Sequence, residues 1–179
     1  IDGTTLGAAT YGRGMYKAAV ASGGPPSYQD LWWGGTVENG WGVSIAQHGP
    51  RIFAVLYVYD SAGNPIWVVM PSGTWNAAFT DFTGEVYIPS GPPFSAYDPS
   101  RFAVGAPVGG ATLHFTGLAS ATLSYTIDGV SGTKSLGRLP FGPADATPVA
   151  SYGDLWWGGL AQNGWGISIN QQYRTLFSV

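Results

Sequence analysis

The chain contains no cysteine, and only 9% of its residues are Asp, Glu, Lys or Arg, against roughly 25% in an average soluble domain. Without cysteine there is no disulfide scaffold and no thiolate metal site. A net charge of −3 with no basic run lacks the electrostatic footprint that nucleic acid demands. No run of about 18 apolar residues occurs, so the sequence offers no membrane-spanning helix. Histidine is scarce as well. His48 and His114 lie far apart, and neither has His, Asp or Glu neighbours at metal-ligand spacing. A Gly-x-Ser-x-Gly elbow and a phosphate loop are both missing. Neither a cofactor nor a metal is expected.

What is abundant points the other way. With 28 Gly, 13 Pro, 8 Trp and 10 Tyr, the chain is rich in β-formers and turn residues, the composition of an all-β protein with many turns. The order of those residues carries more. "SYQDLWWGGTVENGWGVSIAQ" near the start returns near the end as "SYGDLWWGGLAQNGWGISINQ". Residues 27–55 align with 151–179 at a constant offset of 124 without gaps, and 17 of the 29 positions are identical. A period that long is the size of a domain, not of a solenoid repeat. The sequence therefore divides into a full domain at 27–142, a linker at 143–150 within the proline-bearing "LPFGPADATPVAS", and a truncated second copy at 151–179. The expectation is a piece of a longer multidomain protein. Residues 151–179 hold two or three strands, too few for a core of their own. They are expected to pair with a sheet edge of residues 27–142 or of a neighbouring subunit.

Strand patterns run through the full domain. "GWGVSIAQ" (40–47) puts Trp41, Val43 and Ile45 on one face, and Gly42, Ser44 and Ala46 on the other. "RIFAVLYVYD" (51–60) is apolar on both faces, as in a strand packed inside and covered outside. "SAGN" (61–64) makes the turn into "PIWVVM" (65–70). Further strands are read at 82–89, 101–105, 111–117, 121–127 and 130–138, with a type I′ turn at Asp128-Gly129. The sequence predicts an antiparallel up-and-down meander of about eight strands closing into a small barrel, with a β-sandwich as the alternative. The architecture is similar in style to avidin-like and lipocalin-like barrels, and that analogy carries no function.

The motifs "DLWW", "ENGWGVSIAQ", "YDSAGNPIWVVM" and "YTIDG" resemble a Trp/Gly-rich β-domain of exported bacterial proteins, patterned W-W-x-P-x-E-S-G-W-G, then Y-D-x-x-G-x-P-x-W, then Y-T-x-D-G. The resemblance covers residues 28–139, with Gly-Thr and Asn39 replacing the family's Pro and Ser. It implies an extracellular or cell-envelope accessory domain and supplies no activity. A second resemblance lies in "DGTTLGAATYGRGMYKA" (2–18), which is similar to the last strands of an Asp-box β-propeller of the sialidase, xyloglucanase or sortilin type. The Asp-box itself, Ser-x-Asp-x-Gly-x-x-Trp, does not occur in this chain. On that resemblance residues 1–20 close an upstream propeller and 21–26 link it to the first barrel.

The candidate site residues are aromatic: Trp32, Trp33, Trp41, Tyr57, Trp67 and Trp75. Adjacent tryptophans in a strand point to opposite faces, so one of Trp32 and Trp33 lies inside and the other outside. Buried, these rings are core mass; exposed, they form a stacking platform for a sugar ring or an interface with a partner. Glycosidase chemistry needs two carboxylates flanking one bond, and Glu38, Asp60, Asp81, Glu85 and Asp98 qualify by type alone. No catalytic residue is assigned. Two classes of function follow. The first is a non-catalytic extracellular module that binds a polysaccharide, a cell-surface glycan or a partner domain, or acts as a spacer. The second is an accessory part of a propeller glycosidase whose catalytic residues lie elsewhere. A small apolar ligand inside the barrel is a third reading.

Overall fold

The structure is a computed structural model that describes residues 5–10, 14–19, 23–144 and 150–179, the first two segments as backbone only. β1 (Thr5–Thr10) and β2 (Gly14–Ala19) pair antiparallel as a two-stranded hairpin. The linkers read at 21–26 and 143–150 lie partly outside the described residues.

Nine strands build the main sheet: β3 (Asp30–Trp33), β4 (Gly42–His48), β5 (Arg51–Tyr59), β6 (Pro65–Met70), β7 (Thr74–Trp75), β8 (Asp81–Val86), β9 (Gly109–Gly117), β10 (Ser120–Ile127) and β11 (Val130–Arg138). Their order is β6-β5-β4-β3-β11-β10-β9-β8-β7, with every pair antiparallel. This is the expected meander in one continuous, barrel-like sheet. The first and last strands meet where Trp33 pairs with Gly137 and Trp32 with Arg138. At the other end of the order, β6 reaches the end of β8 through one bridge, Val69 to Tyr87, with N–H···O distances of 2.8 and 2.9 Å in the two directions. The curl thus brings β6 to the end of β8 at a single bridge, which shortens the open edge a meander would otherwise expose.

The interior follows from period-2 alternation. Val43 and Ile45 of β4, Ile52, Ala54 and Leu56 of β5, and Val68 and Met70 of β6 face one core. Phe82, Leu113, Phe115, Leu123 and Leu136 come from the second half of the meander to meet them. All the buried residues of this cluster fall between Tyr28 and Leu136, so the first domain buries a core from its own residues alone. Asp128 and Gly129 have φ of 49° and 77°, the paired positive values of the expected type I′ turn between β10 and β11.

Two expectations change. The strand read at 101–105 is instead a 3-10 turn over Pro99–Arg101 followed by one bridge, Ser90 to Ala103. Asp98 caps that turn, accepting from the Ser100 N–H at 3.0 Å, and Pro99 at its first position favours the helical φ. The second correction concerns residues 151–179. β12 (Asp154–Trp156), β13 (Ile167–Gln172) and β14 (Thr175–Ser178) form a separate three-stranded sheet. That sheet pairs with no edge of the main one and instead packs on the outside of β3 and β4 through side chains. β6 is already bridged to the end of β8, and what the second sheet covers is the small-residue outer face of β4.

Candidate functional site

The six aromatic candidates separate into two groups. Trp32 is inside, 1% exposed, and its indole N–H donates to the Tyr28 carbonyl at 2.9 Å. Trp75 is half-buried and joins Tyr28, Phe82 and Phe115 in an aromatic cluster, where Tyr28 stacks on Phe115 with ring centroids 3.7 Å apart. Tyr28, Phe82 and Phe115 belong to the buried core, and Trp75 packs against it. Trp41 packs half-buried against the same core, under the Lys134 ammonium at 5.8 Å from its ring centroid. Gly34 makes room for it, since a Cβ there would lie 2.9 Å from the Trp41 ring. Trp32, Trp41 and Trp75 are therefore structural, and Trp33 is only half-exposed at the β3–β11 junction.

Tyr57 and Trp67 differ from the rest. They sit directly opposite each other on β5 and β6, in the register that places Leu56 against Val68 on the inner face. Side-chain alternation turns both rings outward. Trp67 is 57% exposed, and Tyr59, two residues along the same face as Tyr57, is 59% exposed. Tyr57 is half-buried where the strip meets β13. Burial pushes its phenol above the usual range, and a hydrogen bond with Ser168 partly opposes that. The composition and alternation of "LYVYD" and "PIWVVM" hold the signal for this strip, yet Tyr59 was not picked out, because both faces of that strand are apolar.

Beyond the β6–β8 bridge the outer face changes character. The registers of β8 to β11 align Thr83, Thr112, Ser124 and Thr133 in one row across four strands. The next row is Glu85, Gly110, Thr126 and Ser131. Hydroxyls bond along these rows, Thr83 to Thr112 at 2.9 Å and Thr126 to Ser131 at 2.7 Å. Their face forms a shallow depression of about 550 Å³. In the sequence the signal is Ser or Thr at every second position of 122–126 and 131–135, with Thr112 and Thr116 flanking His114, but no single hydroxyl there has a reactive partner.

The carboxylates are occupied by local structure. Asp60 accepts from the Ala62 and Asn64 N–H groups at 2.9 and 2.8 Å and closes the β5–β6 turn. Hydrogen bonds from Asn64 hold its carboxyl below the usual range. Asp81 is paired with His114, and that bond likewise lowers the Asp81 carboxyl. Glu38 is paired with Lys134 at 2.8 Å, which lowers Glu38 and raises Lys134. The Tyr87 hydroxyl donates to Glu85 at 2.7 Å. Asp30 takes Arg138 at 3.2 Å, and the Arg138 guanidinium lies over the Trp32 ring at 5.2 Å. Among the described residues no group of three His, Asp or Glu is placed to hold a metal ion.

Compared with protein-family models, curated proteins and solved structures, the chain matches none. The outward aromatic strip and the hydroxyl face beside it are thus the features from which a function has to be argued.

Proposed function

We propose that this chain is a non-catalytic, exported binding module whose Tyr57–Trp67–Tyr59 strip stacks on a sugar ring of a polysaccharide or cell-surface glycan. The observation that supports this reading is the direct cross-strand pairing of Tyr57 and Trp67 on the outer face, with Trp67 and Tyr59 exposed while Trp32, Trp41 and Trp75 serve the interior. A flat indole face and a phenol edge suit the axial C–H face of a pyranose, and flanking hydroxyls suit its rim. The Ser and Thr hydroxyls of the rows across the β6–β8 bridge are neutral hydrogen-bonding groups of that kind. The low charge and the abundance of Gly, Trp, Ser and Thr support the reading of an extracellular setting. The β1–β2 hairpin agrees with a propeller-ending role for residues 1–20, in which case the module would serve an enzyme located upstream.

The test is a tryptophan-fluorescence titration of the full chain against soluble glycans, with Trp67→Ala beside it. The expected outcome is a saturable shift that Trp67→Ala weakens at least about tenfold, the range of a truncated aromatic anchor, with its far-UV circular dichroism unchanged. A flat titration with every glycan would remove the carbohydrate reading and leave the strip as a protein contact.

A further inference from the structure

The contacts between the two copies follow a pattern that strand topology alone does not require. Each residue of 151–179 has a counterpart 124 positions earlier. Ser44 meets Ser168, its own counterpart, with the two hydroxyl oxygens 2.9 Å apart. The Gln29 amide donates to the carbonyl of its own counterpart, Gly153, at 2.8 Å. His48 bonds Asp154, the counterpart of Asp30, at 2.9 Å. The reverse contact is also present, because Gln172, the counterpart of His48, donates to Asp30 at 3.0 Å. Strand contacts repeat the pattern: β12 touches β4, β13 touches β3, and β13 touches β4.

A contact from i to j answered by one from j to i is the mark of an isologous, two-fold interface. Here the pseudo-axis passes beside Ser44 and Ser168. The chemistry fits a specific seam and not incidental packing. Ser44, Ser168 and Asn170 are the buried polar side chains of the described residues, and all three lie here. They satisfy one another, Asn170 donating to Ser44 at 3.1 Å, as buried polar groups must. The small outward residues of β4, Gly42, Ser44 and Ala46, let the second sheet approach closely.

We propose that the outer face of β3 and β4 is a self-complementary docking surface built to receive a second copy of the same domain, and that residues 150–179 occupy it within the chain. Once vacated, the face pairs with the same face of another molecule. Ser44 then meets Ser44, and His48 meets Asp30 twice. The proposal does not rest on the glycan reading; of the aromatic strip Tyr57 borders the seam at Ser168, while Trp67 and Tyr59 are exposed.

The decisive comparison uses two full-length variants, Ser168→Arg and Ser44→Arg, at equal concentration. Both place a guanidinium in the buried seam and release residues 150–179, seen as at least a tenfold faster amide exchange over 167–172. Ser168→Arg leaves the first domain's face intact, so it should sediment at twice the chain mass. Ser44→Arg spoils that face in both settings and should sediment at the single mass. If circular dichroism shows that Ser44→Arg has lost the barrel, Ala46→Arg replaces it on the same face. Two monomeric variants with the seam open would overturn the proposal. So would two equally dimeric ones, or a seam that stays closed.

Discussion

Trp32 and Trp156 hold the same place in two copies of one segment, and each donates its indole N–H to the carbonyl four residues earlier, at 2.9 and 3.0 Å. Trp32 is 1% exposed and Trp156 is 51% exposed. The agreement extends through the segment. Asp30 and Asp154 each accept from the next N–H, and the Gln47 and Gln171 amides each accept from the N–H of Tyr28 and Tyr152. A 3-10 turn follows each Trp pair, at Thr36–Glu38 and Leu160–Gln162, and the preceding glycines, Gly35 and Gly159, have φ of 84° and 85°. The strand register is likewise the same, Asp30 against Ile45 and Asp154 against Ile169.

What differs is the cover. In the first copy, Val68, Met70, Phe82, Leu113, Phe115 and Leu123 lie across the inner face of β3 to β5. In the second, the corresponding Tyr152, Trp156, Ile167 and Leu176 remain exposed. The local backbone motif thus recurs at 151–179 without that cover, whereas in the first copy the rest of the meander buries its tryptophan. A hydrogen-bonded turn closes between near neighbours, while a hydrophobic core is assembled from strands far apart in sequence.

The comparison can be broken most forcefully at the tryptophans themselves. Trp32→Ala should cost about 3–5 kcal/mol of unfolding free energy, the range for an aromatic removed from a packed core. Trp156→Ala should change it by under about 0.5 kcal/mol, as for a surface position. Paired urea melts give both values, and equal losses would mean that the second sheet contributes to the same core. A smaller effect should appear at the shared backbone. Gly35 and Gly159 have positive φ and open space where a Cβ would go, so Gly35→Ala and Gly159→Ala test conformation without crowding. Each should destabilise its own copy by about 1–2 kcal/mol. Gly35→Ala would show in global melts, and Gly159→Ala in amide exchange over 167–172. A cost in one copy alone would show that tertiary packing, and not the segment, sets that turn.

The smallest effect is electrostatic. Burial raises the Asp154 carboxyl, but the His48 hydrogen bond and the Leu155 N–H outweigh it and hold the group below its ordinary value. A carboxyl depressed in the folded state stabilises above its unfolded pKa of about 4 and loses that contribution as pH falls through the lower folded value. Amide exchange over 167–172 should therefore be level from neutral pH down to about pH 4, once corrected for intrinsic rates, and quicken below it. Because the pair is exposed at the surface, His48→Ala should shift the seam by no more than about 1 kcal/mol. Exchange that stays level through this acid range would remove the Asp154 carboxylate from the seam's stability.

Much of the fold was legible residue by residue. Alternation in 42–48 and 51–59 marked inner and outer faces, and Asp128-Gly129 marked a turn that only φ-permissive residues make. Residues 101–105 read as a strand because "RFAV" has strand composition, while Pro99 and Asp98 favour a capped 3-10 turn. In the candidate surface, Tyr57 and Trp67 were named from type alone. Which of six aromatic rings faced outward was hidden, because a strand apolar on both faces has no readable polarity.

The sequence by itself determined the all-β class, the repeat of 124 residues and the local turn and capping bonds, since these depend on side chains within a few positions of one another. Only the tertiary structure decided that Trp32 is buried and Trp67 is not, and that the second copy packs face to face along a pseudo-two-fold axis. Those outcomes depend on which distant strands meet, and no residue carries that information until the sheet has curled and the two faces have come together.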